Sequence, residues 1–341
     1  MAEPSRICAD FGDAQAEYET ALRAAAIFDV SNRGKIELVG PEAPNFLQNM
    51  CTNDVLNLPL GAGCEAFFTT STAKVVGHAL IYHVRIASGD DALWLDVAPG
   101  EAPRLIQHLE RYHIAERFEI SDRTEDFAQI HVAGPQARDM VQRSVGEAIP
   151  DLAPLEHMER SIGEVVCNIR RNDPLGVPGY DLVCLRARGP EIWSALAQIG
   201  AAPAGTTAYE ILRVEAGTPV IGLDMDESRF VVEVGRAHAI CHTKGCYLGQ
   251  EPIVMARDRA GHVNRSLRGL KLGDGPAAAA KSKLFNEAGQ DVGMTTSSVI
   301  SPRFGPIALA YIRRGFESPG TQLHLDTVAG RTAQVTALPI T

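Results

Sequence analysis

The sequence contains no run of roughly 18 consecutive apolar residues, so it offers no candidate for a helix that crosses a bilayer. Its opening residues, from Met1 to Phe11, carry no apolar core ahead of a small-residue cleavage site, and no secretory signal is expected. A disulfide framework is also missing. The cysteines (Cys8, Cys51, Cys64, Cys167, Cys184, Cys241 and Cys246) are odd in number and scattered, which in a chain without an export signal predicts reduced thiols in a cytoplasm. Neither a G-x-G-x-x-G nor a Walker pattern occurs, so nucleotide binding has no support. Positive charge is in deficit. The 32 Lys and Arg stand against 42 Asp and Glu, and the net charge of -10 excludes a protein that coats nucleic acid. A small anionic ligand is compatible with that balance where arginines gather, and the gathering (Arg257, Arg259, Arg265, Arg268) comes only after position 250.

What is present is a globular composition, 45% hydrophobic and 22% charged, over 341 residues, long enough for two or three domains. Residues Phe11 to Phe28 have an amphipathic helical pattern, with Tyr18, Leu22, Ala25 and Ala26 on one face. Lys35 to Val39 alternates as a strand, Gly40-Pro41 ends it, and Ala43 to Cys51 reads as a helix with Phe46, Leu47 and Met50 inward. The same spelling returns. Ile36-Glu37-Leu38-Val39-Gly40-Pro41-Glu42-Ala43 is similar to Ile130-His131-Val132-Ala133-Gly134-Pro135-Gln136-Ala137, and an apolar helix follows each, which suggests a duplicated α+β unit. Between the copies lie strands at Val75–Tyr82, Ala92–Val97 and Glu116–Ile120 and a helix at Gly100–Tyr112. After them come a hairpin (Glu164–Arg170, Tyr180–Leu185), helices at Pro190–Ile199 and Ala208–Ala216, and a loop at Gly217–Ser228. From Gly269 onward, short strands divided by Gly, Pro, Ser and Thr predict a small all-β domain.

One stretch follows no ordinary folding rule: Lys244-Gly245-Cys246-Tyr247-Leu248-Gly249-Gln250-Glu251. Pro252 and the apolar residues after it read as the first turn of a helix. Cys246 would then lie just upstream of a helix N-terminus and beside the Lys244 ammonium, two neighbours that favour thiolate over thiol. The plain alternative is a turn cysteine between two glycines. His238, Cys241, His242 and Cys246 are ligand types that structural zinc uses, but their overlapping spacings match no usual finger or knuckle, and no metal is expected.

These landmarks together resemble the aminomethyltransferase (glycine-cleavage T-protein) superfamily, and within it the folate-binding YgfZ branch. The octapeptide is similar to that branch's K-G-C-Y-x-G-Q-E signature, and Arg259-Ala260-Gly261-His262-Val263-Asn264-Arg265 to the basic segment that follows it. Phe46-Leu47-Gln48 with Thr52-Asn53-Asp54-Val55, Leu212-Arg213-Val214-Glu215-Ala216-Gly217 with Gly222-Leu223-Asp224, and the tail from Gly293 to Thr321 carry the resemblance over essentially the whole chain. It implies an α+β cloverleaf of three domains: duplicated ferredoxin-like units and a small C-terminal β-barrel around a folate slot. The expected boundaries are a discontinuous domain at 1–50 and 127–230, an inserted domain at 51–126, a signature segment at 231–268 and the barrel at 269–341.

The resemblance further implies tetrahydrofolate, or a one-carbon-substituted folate, as the bound group. Cys246 and Lys244 would be the chemical residues, and Arg213, Tyr247, Gln250, Glu251, Arg257 and Asn53 the folate contacts. It implies an accessory role in iron–sulfur cluster assembly or repair, with cluster clients or assembly proteins as partners. The alternative is folate-dependent aminomethyl or methyl transfer. Two departures bear on that choice. Where the superfamily's transferases have a pair of aspartates, this chain has Gly77 and His78. The superfamily's pterin-binding glutamate is replaced by Val177, which cannot accept the paired hydrogen bonds of a pterin's amino and ring N–H groups.

Overall fold

Short segments pair into two open sheets and a barrel in a computed structural model that describes residues 7–341. In chain order the elements begin α1 (Ala14–Arg23), β1 (Ala26–Asp29), β2 (Gly34–Val39), α2 (Ala43–Met50), β3 (Gly63–Thr69), β4 (Val75–Arg85) and β5 (Asp91–Val97). There follow α3 (Ala102–Glu110), β6 (Glu119–Asp122), β7 (Phe127–Ala133), α4 (Ala137–Val145), β8 (His157–Ile162), β9 (Val165–Arg171) and β10 (Gly179–Leu185). Then come α5 (Gly189–Gln198), β11 (Ala202–Pro203), α6 (Thr206–Ala216) and α7 (Gln250–Met255). The last strands are β12 (Arg265–Leu272), β13 (Lys283–Phe285), β14 (Asp291–Ser301), β15 (Gly305–Arg313), β16 (Gln322–Leu325) and β17 (Thr332–Thr336).

The first sheet has the order β11-β1-β7-β10-β9-β8, and the second β3-β4-β5-β2-β6. One face of the first packs on α4 and α5 through Met140, Val141, Ile192 and Leu196, and α1 and α6 cover Phe28 and Ala133 with Tyr18, Ala21 and Leu212. The second packs on α2 and α3 through Phe46, Leu47, Leu105 and Leu109. The last six strands close a barrel, β12-β15-β14-β13-β16-β17. This is the α+β architecture with a C-terminal barrel that the sequence predicts. No helix among the described residues is long and apolar enough to cross a membrane.

The repeated spelling folds repeatedly. β2 and β7 each run into a glycine with positive φ, Gly40 at 142° and Gly134 at 131°, and then into α2 or α4. A Cβ at Gly40 would lie 2.5 Å from the Arg117 carbonyl oxygen, and one at Gly134 2.3 Å from that of Ala24. Both corners therefore need glycine for its backbone conformation and for the close approach of a neighbouring chain.

Several elements differ from the sequence reading. The expected Phe11–Phe28 helix stops at Arg23, and Ala26–Asp29 becomes β1, an inner strand paired with β7 and β11. An apolar run of that length is consistent with a buried strand or a helix end, and pairing on both edges decides it. β2 and α2, expected with the first unit up to residue 50, belong to the second sheet and its core, because β2 pairs with β5 and β6. β3 and β8 were not anticipated, and β12 opens the barrel at Arg265 instead of Gly269.

A buried polar knot joins the two sheets. Asp96 on β5 accepts from Arg33 at 2.5 Å and from Gln129 on β7 at 2.8 Å, with Arg170 on β9 at 3.7 Å. The Arg170 guanidinium lies 4.2 Å from the Tyr82 ring centroid and 5.3 Å from that of Trp94. Stacking on both rings substitutes apolar and π contact for lost hydration.

Candidate functional site

Between these units lies a cavity of about 480 Å³. Phe28 and Asp29 at the end of β1, Asn172 and Asp173 after β9, and Tyr209 and Glu210 on α6 form one side. Glu65 on β3, His78 and Leu80 on β4, and Ala98 after β5 form the other, with Val220, Ile221, Arg236 and His238 closing it. The walls are mixed, with apolar surfaces interrupted by a few charged groups, as in small-molecule sites.

In the wall formed by the second sheet, the Glu65 carboxylate is buried among three donors. His78 Nε2 lies 2.7 Å away, His238 Nε2 2.8 Å and Arg236 Nε 2.8 Å, and Arg236 Nη2 reaches the second oxygen. Burial alone would push this carboxyl up, but the bonds from His238, His78 and Arg236 outweigh it and hold the group far below the usual carboxylate range. Strand alternation explains who faces whom. Phe67 pairs with His78 across β3 and β4, which puts Glu65 on the same face two residues along. Gly77 faces the other way, where an added Cβ would sit 2.9 Å from Leu105 Cδ1. Of the positions Gly77 and His78, only the histidine lines the cavity.

In the wall formed by α6 stands Arg213, only 1% exposed. Nε and Nη2 donate to Glu210, Nη1 to Asp224 and the Thr218 carbonyl at 2.9 Å each, and Nη2 to Ser297 of the barrel at 2.9 Å. Those partners take up all five N–H donors of a guanidinium. The helix ends at Gly217 with φ 73°, which swings the chain back so that Thr218 and Asp224 can reach the same side chain. Asp224 in turn accepts from Thr296 Oγ1 at 2.6 Å and from the Val220 N–H at 3.0 Å.

The GCVT N-terminal domain model matches residues 8–244, and the glycine cleavage T-protein C-terminal barrel domain model matches residues 265–340. The chain belongs to the glycine cleavage T-protein family. Among curated relatives, an aminomethyltransferase of Rubrobacter xylanophilus is 29% identical over 300 residues, covering 87% of this chain and 78% of that protein. One from Saccharopolyspora erythraea is 28% identical over 339 residues, covering 96% and 89%. The crystal structure of glycine cleavage system aminomethyltransferase T from Bartonella henselae superposes with a TM-score of 0.83 at 20% identity over 96% of this chain and 89% of that one, which shows a shared fold.

Within this T-protein fold, Arg213 alone of the residues expected from sequence lines the cavity, and its donors are spent on protein partners. Lys244, expected to assist Cys246, does something else. Its ammonium donates to the carbonyls of Gln48 at 2.6 Å and of Cys51 and Asn53 at 2.7 Å each. The last carbonyls of a helix have no partner within it, and the lysine supplies one to the end of α2 with all three of its donors. Burial lowers its pKa, against the opposing pull of Cys51, Asp54, Cys241 and Cys64, and Cys246 is not among those neighbours. Cys246 itself is exposed and outside the cavity.

The other expected folate contacts also lie off the cavity wall. Tyr247 is buried in the cluster with Phe67 and Ala73, its ring centroid 4.9 Å from Lys244 Nζ. Asn53 Nδ2 donates to the carbonyls of Glu65 and His238, fixing the backbone behind the Glu65 cluster. Gln250 and Glu251 open α7, and Arg257 is exposed and paired with Asp258. Among the described residues no group of three or more His, Cys, Asp or Glu is placed to hold a metal ion; His238 is bonded to Glu65, and the Cys241 thiol lies 3.5 Å from Thr243 Oγ1. Val177 packs against the Phe28–Leu175 cluster and does not line the cavity. Sequence reasoning missed Glu65, Asp29, Tyr209, Asp173 and Arg236. The alternation Glu65-Ala66-Phe67 was the available signal for the first of these.

Proposed function

We propose that the cavity binds a reduced folate and that the protein carries out folate-dependent transfer of a one-carbon unit. The observation that carries this is the cavity between the two α+β units of a T-protein fold, with a volume in the ~300–1,000 Å³ range of small-molecule sites. Phe28, Tyr209 and Leu80 offer apolar and aromatic wall for a flat head group, while Asp29 and Asn172 offer polar atoms. A bound folate would supply nucleophilic nitrogens for a one-carbon unit. The relatives' name, aminomethyltransferase, supports an aminomethyl donor.

This chain's own part is to orient the folate and handle protons. His78 stands at the cavity wall with Nε2 tied to Glu65, an arrangement that fixes the ring and leaves Nδ1 without a partner among the described residues. Isothermal titration with tetrahydrofolate tests the binding: heat and a thermal shift are expected, and neither at millimolar ligand removes folate from the account. Ammonia release from an aminomethyl donor, dependent on tetrahydrofolate, tests the transfer.

The octapeptide favours a second reading, an accessory role in iron–sulfur cluster assembly or repair of the YgfZ type. Cys246 is exposed on a segment pinned by Lys244, outside the cavity, so its thiol can meet a client protein while the cavity is occupied. Under that reading Cys246→Ser fails to restore cluster-dependent enzymes in cells lacking the native protein, and aminomethyl transfer is absent. Full restoration by the serine variant would remove the thiol role.

A further inference from the structure

Four carboxylates line the cavity: Asp29, Glu65, Asp173 and Glu210. Three are already engaged. Glu65 is shared among His78, Arg236 and His238. Asp173 accepts from the Gly179 N–H at 2.7 Å and pairs with Arg171 at 2.8 Å. Glu210 holds Arg213 through both oxygens. Asp29 differs. No Lys, Arg or His among the described residues lies within ion-pair distance of it, and its one partner is the Ser31 N–H, 2.9 Å from Oδ1. That single bond fixes the side chain and leaves Oδ2 without a partner among the described residues, with a second lone pair on Oδ1.

We propose that Asp29 is the paired acceptor for the head group, receiving the exocyclic amino group and the adjacent ring N–H of a 2-amino-4-oxopteridine. This deepens the folate reading and rests on it. A carboxylate matches such a donor pair with two parallel hydrogen bonds, the geometry that makes charge-assisted pairs specific. The neighbours suit the rest of the ring. Phe28 precedes Asp29 on β1 and meets Tyr209 edge-on, with centroids 5.5 Å apart, so an aromatic corner borders the carboxylate. Val177 packs into the same cluster as Phe28 and brings no polar group to the cavity. The paired acceptor is thereby assigned to the end of β1, and head-group selectivity with it.

The test is titration calorimetry with tetrahydrofolate, with 6-methyltetrahydropterin (the head alone), and with its analogue lacking the 2-amino group. Asp29→Asn is expected to weaken the first two about 10- to 100-fold, as loss of a charged hydrogen-bonding partner does. In the native protein, deleting the 2-amino group is expected to cost a similar factor. In Asp29→Asn the same deletion costs little more, because the two changes remove one interaction. Asp173→Asn, measured in parallel, is expected to bind within about threefold of the native protein, as its carboxylate is committed elsewhere. The inference is overturned if Asp29→Asn binds as the native protein does. A head-group loss that appears in Asp173→Asn, or no loss of native affinity on deleting the 2-amino group, overturns it as well, which keeps the test decisive should Asp29→Asn not fold. Native protein that binds neither tetrahydrofolate nor the pterin overturns the folate reading and this inference with it; native binding with an indifferent Asp29 overturns the inference alone.

Discussion

Two buried charges in the cavity wall are electrical opposites. The Glu65 anion is surrounded by Arg236, His78 and His238, and the Arg213 cation by Asp224 and Glu210. Both central groups are almost fully buried, and both have their hydrogen-bonding capacity filled by protein. The difference lies in what each holds together. Arg213 joins α6, the loop after it and the barrel, whereas Glu65 joins β3 and β4 to the turn at Arg236–His238. The lesson is that a conspicuous charge at a cavity wall can be committed to the scaffold, leaving ligand recognition to quieter neighbours.

The comparison breaks most sharply at Arg213. Asp224→Ala would leave a buried guanidinium with a partner missing, and a loss of about 3–5 kcal/mol is expected in denaturant unfolding, with the barrel also losing its Thr296 contact to this loop. An unchanged unfolding midpoint would show that Arg213 is not a junction. Glu65→Gln comes next, at about 2–4 kcal/mol, smaller because Arg236 is partly exposed and can rehydrate.

The same variant sharpens the comparison through pH. The folded Glu65 carboxyl is held below its unfolded value, so its stabilisation is fully present above roughly pH 5 and is lost as pH falls further. The native protein should therefore lose more stability than Glu65→Gln between about pH 5 and pH 3. Parallel curves would place the group's strength elsewhere. Lys244→Met tests a third buried charge, one that holds only carbonyls, and a loss of about 2–3 kcal/mol is expected from three forfeited charge-assisted bonds. Cys246→Ser, exposed and packed against little, should change stability by less than about 0.5 kcal/mol.

Why some of this was legible in the sequence and some was not follows from range. The Gly40-Pro41 and Gly134-Pro135 corners announced themselves because strand, corner and helix are all local patterns, and the structure reproduces both. The barrel was equally visible from its punctuation. β1 was hidden because Ala25 and Ala26 also continue the helical pattern that begins at Phe11, and pairing with β7, more than a hundred positions later, decides it. The site was less legible still. Arg236 finds Glu65 across 171 positions and Ser297 finds Arg213 across 84, pairings that no spacing rule encodes. Lys244 was noticed for standing two residues before a cysteine, but its partners are backbone carbonyls almost 200 positions away, which carry no side-chain signature.

The Lys244 contact has a consequence for how the chain can be cut. A protease that cleaves after basic residues must draw the side chain into its own pocket, and Lys244 is held inside by the end of α2. Arg257 and Arg259, a few residues on, are exposed in the short π-helical stretch Ala256–Ala260 just before the barrel. Brief trypsin treatment should therefore nick the native chain after Arg257 or Arg259 and spare Lys244, leaving two fragments that still travel together because Arg213 and Ser297 bind across the break.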